Sequence, residues 1–335
     1  MSGMRETKPW IERGRRLKIR SVRGDRHPET LGFTHCHEHL FVFQTDYTRM
    51  PDRILLDDYE MTYQEVIEYR RCGGAALLDL QPFGAGRHAE LLKKLAQESG
   101  VTVVACTGLH KSSFYSPDFW SFSASQEKIA DLFVSEIGEG MYAFDSQDPF
   151  RRRTDVRAGV IKIAAEEEGL TPYYRKVFDA AVAAHKKTGA PIITHAETAE
   201  VGISQAEYLL DRGVKPGCII ISHMDRRIET EKNLMLASLG VFLEYDTIAR
   251  FKYHDDGQEI ELIRTMIERG FSSQITLGMD STRQRFLSYG GRFGLSYIIT
   301  SFLPELRRKG VGEKEINQMM VENPKRSLAF NTLAE

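Results

Sequence analysis

A chain of 335 residues, 27% charged and 41% hydrophobic, has the composition of a globular protein and is long enough for one barrel-sized domain or two ordinary ones. Its net charge of −2, with acids and bases mixed along the sequence, offers no global field for nucleic acid or an anionic membrane, so any anion site must be local. No apolar run approaches a membrane span, and the opening MSGMRETKPWIERGRRLKIR has no apolar core of the secretory kind, so the cytoplasm is the expected compartment.

In chain order, residues up to about 31, including SVRGDRHPETLG, read as a short leading hairpin. Apolar runs of strand length then recur between helical patterns. They are GFTHCHEH from Gly32, AALLDL from Ala75, VTVVACTG from Val101, AGVIKIA from Ala158, APIITH from Ala190, CIIISH from Cys218, GVFLEYD from Gly240 and SQITLGMD from Ser273. Between them lie helical periodicities such as YRKVFDAAVAAHKKTG from Tyr174 and EIELIRTMIERG from Glu259, each closing on a glycine suited to a helix C-cap. Strands alternating with helices mean parallel βαβ units, and eight of them fit an α/β fold of the (β/α)8 TIM barrel type, one domain over residues 1–335. An open doubly wound sheet is the alternative, but GxGxxG after the first strand and GxxxxGK[ST] are both missing. Cys36, Cys72, Cys106 and Cys218 are scattered with no CxxC pair and are expected to be reduced and buried.

A barrel enzyme builds its site at the C-terminal ends of its strands, so the residues standing there carry the chemistry. The first predicted strand ends with His37 and His39, the fourth carries Lys162, the fifth ends at His195, the sixth at His223 and the eighth at Asp280. Residues two apart on a strand share a face, and imidazole with carboxylate suits a divalent metal. An isolated HxH, strand-end His or GMD has an ordinary structural explanation; the full set at the ends of one barrel points to a metal centre.

The motifs HEHL, GVIKIA, ITHAE, ISHMD and LGMD, in order from about Gly32 to Phe330, resemble the phosphotriesterase-related branch of the amidohydrolase superfamily. The resemblance implies that His37, His39, Lys162, His195, His223 and Asp280 hold two divalent metals, zinc first, with manganese, cobalt, iron or nickel as alternatives. It further implies that Lys162 is carboxylated. An ammonium has no lone pair for a metal, and at roughly 4 Å from a dication, with an effective dielectric of ~20, its charge would cost on the order of 8 kcal/mol. The expected reaction is hydrolysis by a metal-bridging hydroxide, with Asp280 taking its proton and passing it to the leaving alkoxide. His35 has no counterpart in the family pattern and reads as a residue that either supports the ligands or serves packing, and Glu38, on the opposite face, reads as structural.

The loops after the seventh and eighth strands, ARFKYH and DSTRQRFLSYGGR, are rich in phosphate donors. Lys252 and Arg283 are the first expected phosphate ligands, with Arg285, Tyr253 and Arg292 behind them. The pattern resembles the subgroup that opens lactones of phosphorylated sugars, which implies a metal-dependent lactonase acting on a phosphorylated sugar 1,4-lactone. Phosphotriester or acyl-homoserine lactone cleavage is the alternative; a mononuclear deaminase and a non-catalytic metal-binding barrel stand further off. The expected partner is an anionic small molecule, with no nucleic acid or membrane, and the resemblance allows a homodimer. His110, Tyr245 and Asp246 could each touch substrate or serve packing.

Overall fold

The computed structural model describes residues 11–12 and 15–330. The start of the expected leading hairpin, residues 1–10, 13 and 14, lies outside them. The rest of that segment pairs as short antiparallel ribbons, Ile11–Glu12 with Arg15–Arg16 and Ile19–Ser21 with Gly24–Arg26. Ile19 and Leu31 join the apolar cluster inside the barrel, so this segment closes its lower end. Lys18 and Phe330 exchange backbone hydrogen bonds of 3.0 and 2.9 Å, tying the chain's two ends together there.

All eight expected strands are present and parallel: β1 Thr34–Glu38, β2 Ala76–Asp79, β3 Thr102–Gly108, β4 Val160–Ala164, β5 Ile192–His195, β6 Ile219–Ser222, β7 Phe242–Tyr245 and β8 Ile275–Leu277. Every residue in them is buried, as expected where helices cover one face of a sheet and the barrel interior fills the other. Ala76, Leu78, Val104, Val160, Ile193 and Ile220 pack inside, while a larger cluster fills the layer between strands and helices. No helix among the described residues is long and apolar enough to cross a membrane.

Local chemistry sets the helix ends. The segment beginning at Tyr174 becomes α4, Pro172–Thr188; Pro172 opens it, and Gly189, at φ 78°, ends it in the left-handed region. The segment beginning at Glu259 becomes α7, Asp256–Glu268, starting three residues earlier because Asp255 and Gln258 form a reciprocal capping box. Other helices of the ring include α1 Tyr59–Arg71, α2 Ala89–Ser99, α3 Gln126–Gly138, α5 Ala199–Asp211 and α6 Thr230–Ser238, and short helices at Leu303–Arg308, Glu313–Asn317 and Asn323–Leu328 follow β8. The expectation of buried cysteines is corrected for two of the four. Cys36 and Cys106 are buried in strands, but Cys72 at the end of α1 and Cys218 just before β6 are partly exposed, because both stand where the chain turns at the surface.

The barrel is nearly closed, and its seam joins β8 to β1. The His37 carbonyl accepts from the N–H groups of Met279 (3.3 Å) and Asp280 (2.9 Å). The Glu38 carboxylate accepts from Met279 N at 3.1 Å, Ser281 N at 3.1 Å and His35 Nδ1 at 2.9 Å. Glu38 and His35 are thus supporting residues, as expected from their positions. Gly278 lies so close that a Cβ there would sit 2.8 to 3.0 Å from His37 backbone and Cβ atoms. Gly278→Ala should therefore spread the seam and lower stability by about 1–3 kcal/mol, read as a fall in the urea midpoint with unchanged far-UV circular dichroism. An unchanged midpoint would mean that the seam has slack.

Candidate metal centre

The strand ends bring the six expected ligands to one end of the barrel. His37 turns from β1 into the mouth, where its Nδ1 lies 2.8 Å from both Glu244 Oε2 and Asp246 Oδ2. On the same side Asp280 Oδ1 lies 3.1 Å from His39 Nε2 and 3.8 Å from His37 Nε2. Across the mouth, His223 Nδ1 meets Asp246 Oδ1 at 2.6 Å and its Nε2 lies 2.7 Å from His195 Nδ1. His223 and Asp280 both sit in the left-handed region, at φ 67° and 46°. That backbone strain is tolerated because Asp246 holds the His223 N–H at 3.2 Å and the seam holds that of Asp280.

The donor set fits divalent cations. The ligand atoms of His37, His39 and Asp280 lie within 4.8 Å of one another, as do those of His37, His223 and Asp246. Burial lowers the His195 imidazole to about 3 and holds His223 well below its ordinary value, so both rings carry free lone pairs at neutral pH. Burial and the Lys162 charge also pull His37 down, but Asp246 and Glu244 outweigh them and raise it to about 9. Burial pushes the Asp280 carboxyl up, yet Arg250, 2.8 Å from its Oδ2, and His39 hold it well below the usual carboxylate range. A cation entering here would meet ionised carboxylates and would displace a proton from His37.

Lys162 stands in the middle of β4 and is 2% exposed. Its Nζ hydrogen-bonds at 3.2 Å to Ser222 Oγ, which in turn donates to Glu244 Oε2 at 2.6 Å. Burial outweighs the nearby Glu244 and Asp246 charges and lowers the amine from its ordinary value. Gly108, at φ 117°, leaves room for the close approach of β3, where a side chain would strike the Lys162 carbonyl.

Above this floor opens a cavity of about 270 Å³. Of the expected phosphate ligands, Lys252 and Tyr253 line it, 4.4 Å apart from ammonium to ring centre. The expectation for the other three is corrected. Arg283 is held at 2.9 Å by Asp57 over the Tyr289 ring, and it lines a neighbouring groove together with Arg292. Arg285 is buried with its guanidinium on the Ile248 carbonyl. His110 lines the cavity, whereas the Tyr245 hydroxyl turns away to Asn233 Oδ1 at 3.0 Å.

Sequence reasoning passed over several residues of this mouth. Glu244 and Ser222 lie inside strands, where a carboxylate and a hydroxyl between apolar neighbours are the available signal. Asp246 was open between substrate and packing, and it instead anchors two histidines. Arg53, Lys111, Arg226 and Arg250 also line the cavity. Lys111 at 2.6 Å and Arg226 both pair with Glu197, which lies 2.9 Å from His195 Nε2. Arg250 belongs to the ARFKYH run, whereas Arg53, Lys111 and Arg226 come from three other loops where no local motif marks them.

A sequence model of the phosphotriesterase family matches residues 17–328. The phosphotriesterase homology protein of Escherichia coli (strain K12) is 31% identical over 294 residues, covering 88% of this chain and 96% of the relative. A phospho-furanose lactonase of Mycoplasmopsis synoviae is 31% identical over 327 residues, covering 93% and 92%. The crystal structure of an amidohydrolase from Mycoplasma synoviae superposes with a TM-score of 0.88 at 28% identity, covering 94% of this chain and 92% of that one.

Asp246 fixes two imidazoles at once, so Asp246→Asn should weaken divalent-metal binding by roughly 10–100-fold, measured by chelator competition. Equal affinity in the two proteins would show that the imidazoles are oriented without it.

Proposed function

This chain belongs to the phosphotriesterase family, whose members are metal-dependent hydrolases, and from that premise we propose a lactonase that opens a phosphorylated sugar 1,4-lactone. The observation that carries the reading is the charge of the cavity: Arg53, Lys111, Arg226, Arg250 and Lys252 line it against the carboxylates of Glu197 and Asp280. A cavity of about 270 Å³ is also small for a long acyl chain, and five cations against two carboxylates leave a surplus of positive charge that a neutral triester would not match. The phospho-furanose lactonase relative supports the same substrate class.

His37, His39, Lys162, His195, His223 and Asp280 would hold two divalent ions, zinc the first choice. When bound, such ions polarise a carbonyl and bring the pKa of water to about 7. Lys162 would join them as a carbamate: its neutral amine attacks carbon dioxide, forms the N–C bond and releases a proton. Its depressed pKa favours that neutral amine. Lys252, with Tyr253 beside it and Arg226 5.3 Å from the same ring, would orient the terminal phosphate so that the lactone carbonyl faces the cavity floor. Asp280, ionised and braced by Arg250, would accept a proton from the attacking water. It would then return that proton to the ring oxygen as the acyl–oxygen bond breaks, leaving a hydroxy acid.

Five-membered sugar lactones tested with and without a terminal phosphate, on enzyme of measured metal content, should show metal-dependent opening with strong preference for the phosphorylated forms. Lys252→Ala should raise KM for those forms by roughly 10–100-fold, as expected for loss of a charged hydrogen bond of about 1.5–3 kcal/mol, and leave the neutral lactones little changed. Equal losses on both would refute the phosphate assignment while leaving the hydrolase reading intact. Protein equilibrated with 13C-bicarbonate should give a carbamate carbon signal that Lys162→Arg abolishes; a wild-type spectrum without it would refute carboxylation.

A further inference from the structure

A second group of ligating side chains lies outside the mouth, behind the ends of β6 and β7. Asp225 follows β6, His254 precedes α7, and Glu259 projects from the first turns of that helix. All three are buried, and their ligand atoms lie within 4.8 Å of one another. Asp225 Oδ2 accepts the Thr247 N–H at 2.6 Å. Among the described residues, however, no donor reaches Asp225 Oδ1 or either oxygen of Glu259, although both residues are 0% exposed. Two buried carboxyls facing each other can share one proton, but that leaves their remaining lone pairs without a donor, and an arriving cation engages them.

The histidine decides what kind of positive charge fits. His254 Nδ1 lies 3.1 Å from the Asp255 carbonyl, which can only accept, so the ring donates from Nδ1 and its lone pair stands on Nε2. Nε2 is 2.9 Å from the Thr247 hydroxyl, and one nitrogen of the ring lies within 4.8 Å of ligand oxygens of Asp225 and Glu259. A ring whose far nitrogen is fixed by a backbone carbonyl is the arrangement that orients an imidazole toward a metal. A shared proton would use two oxygens and leave the remaining lone pairs unmatched; a cation engages all three side chains at once.

We propose that Asp225, His254 and Glu259 form a third metal site, separate from the centre in the barrel mouth, that takes a small divalent cation of the manganese or zinc kind. One imidazole and two carboxylates are ligands such ions accept, and their two negative charges balance a dication. The bound ion ties the end of β6, the loop after β7 and the start of α7 together. It lies behind Thr247, the residue after Asp246, and so on the far side of the mouth's own ligands.

Crystals of the full-length protein grown with manganese chloride test this directly by anomalous diffraction. A peak between Asp225, His254 and Glu259 supports the site, and its absence overturns it whatever the barrel mouth holds, which separates this result from the fate of the lactonase reading. In solution the wild-type protein should retain three manganese ions per chain after desalting, and Glu259→Gln should retain two. Retention of two by the wild type with no peak at the cluster, or three by a folded Glu259→Gln protein, would overturn the proposal.

Discussion

Everything at the mouth depends on the hydrogen bonds that fasten the last strand to the first. A barrel must satisfy the backbone groups of both strands at its seam, and here β8 is only three residues long, Ile275–Leu277. The seam is therefore completed beyond the strand. The His37 carbonyl takes the N–H groups of Met279 and Asp280, and the Glu38 carboxylate shares that of Met279 and takes that of Ser281. His37 and Asp280 are thus joined through the main chain as well as through their side chains. The same bonds that close the fold set the distance between two expected ligands, and they hold Asp280 in its left-handed conformation.

The second constraint is electrostatic. Glu244, Asp246 and Asp280 are buried within reach of His37, Lys162 and Arg250, so a low-dielectric region carries several charges of each sign. Breaking one buried pair costs far more than the pair contributes, because the partner is left desolvated. That cost makes the site rigid in composition: each carboxylate is required by a neighbouring imidazole, amine or guanidinium. Asp246 is the extreme case. Burial pushes its carboxyl up, but His37, Arg226 and Lys162 together hold it below its ordinary value.

The fold was legible because parallel barrel strands are apolar on both faces and stand out as short continuous runs; the eight runs map onto the eight strands. The floor of the site was legible for a related reason, since His37, Lys162, His195 and His223 are polar residues in or ending those runs. The rim was not. Arg283 and Arg285 look equivalent to Lys252 in sequence, each a cation on a loop after a late strand. Yet Arg283 is captured by Asp57, from the loop before α1, and Arg285 is drawn under the loop by a backbone carbonyl. Which loop cation faces a cavity depends on partners 226 and 37 positions away, and local pattern carries no information about them. Asp255 and Gln258 show the opposite case, a boundary set entirely by neighbours three apart.

The contrast between Asp225 and Asp246 shows how burial alone fails to define a role. Both follow adjacent strands, both are 0% exposed, and each accepts a backbone N–H. Asp246 has its remaining lone pairs occupied by two imidazoles, so its charge is matched inside the barrel mouth. Asp225 instead faces the Glu259 carboxyl, and among the described residues no basic side chain pairs with it. The barrel therefore has two layers of acidic side chains at this end, one matched by the chain's own basic groups and one not. Thr247 stands between the layers, giving its N–H to Asp225 while its hydroxyl meets His254. Thr247 and Asp246 are consecutive, so the two layers are joined through one peptide unit.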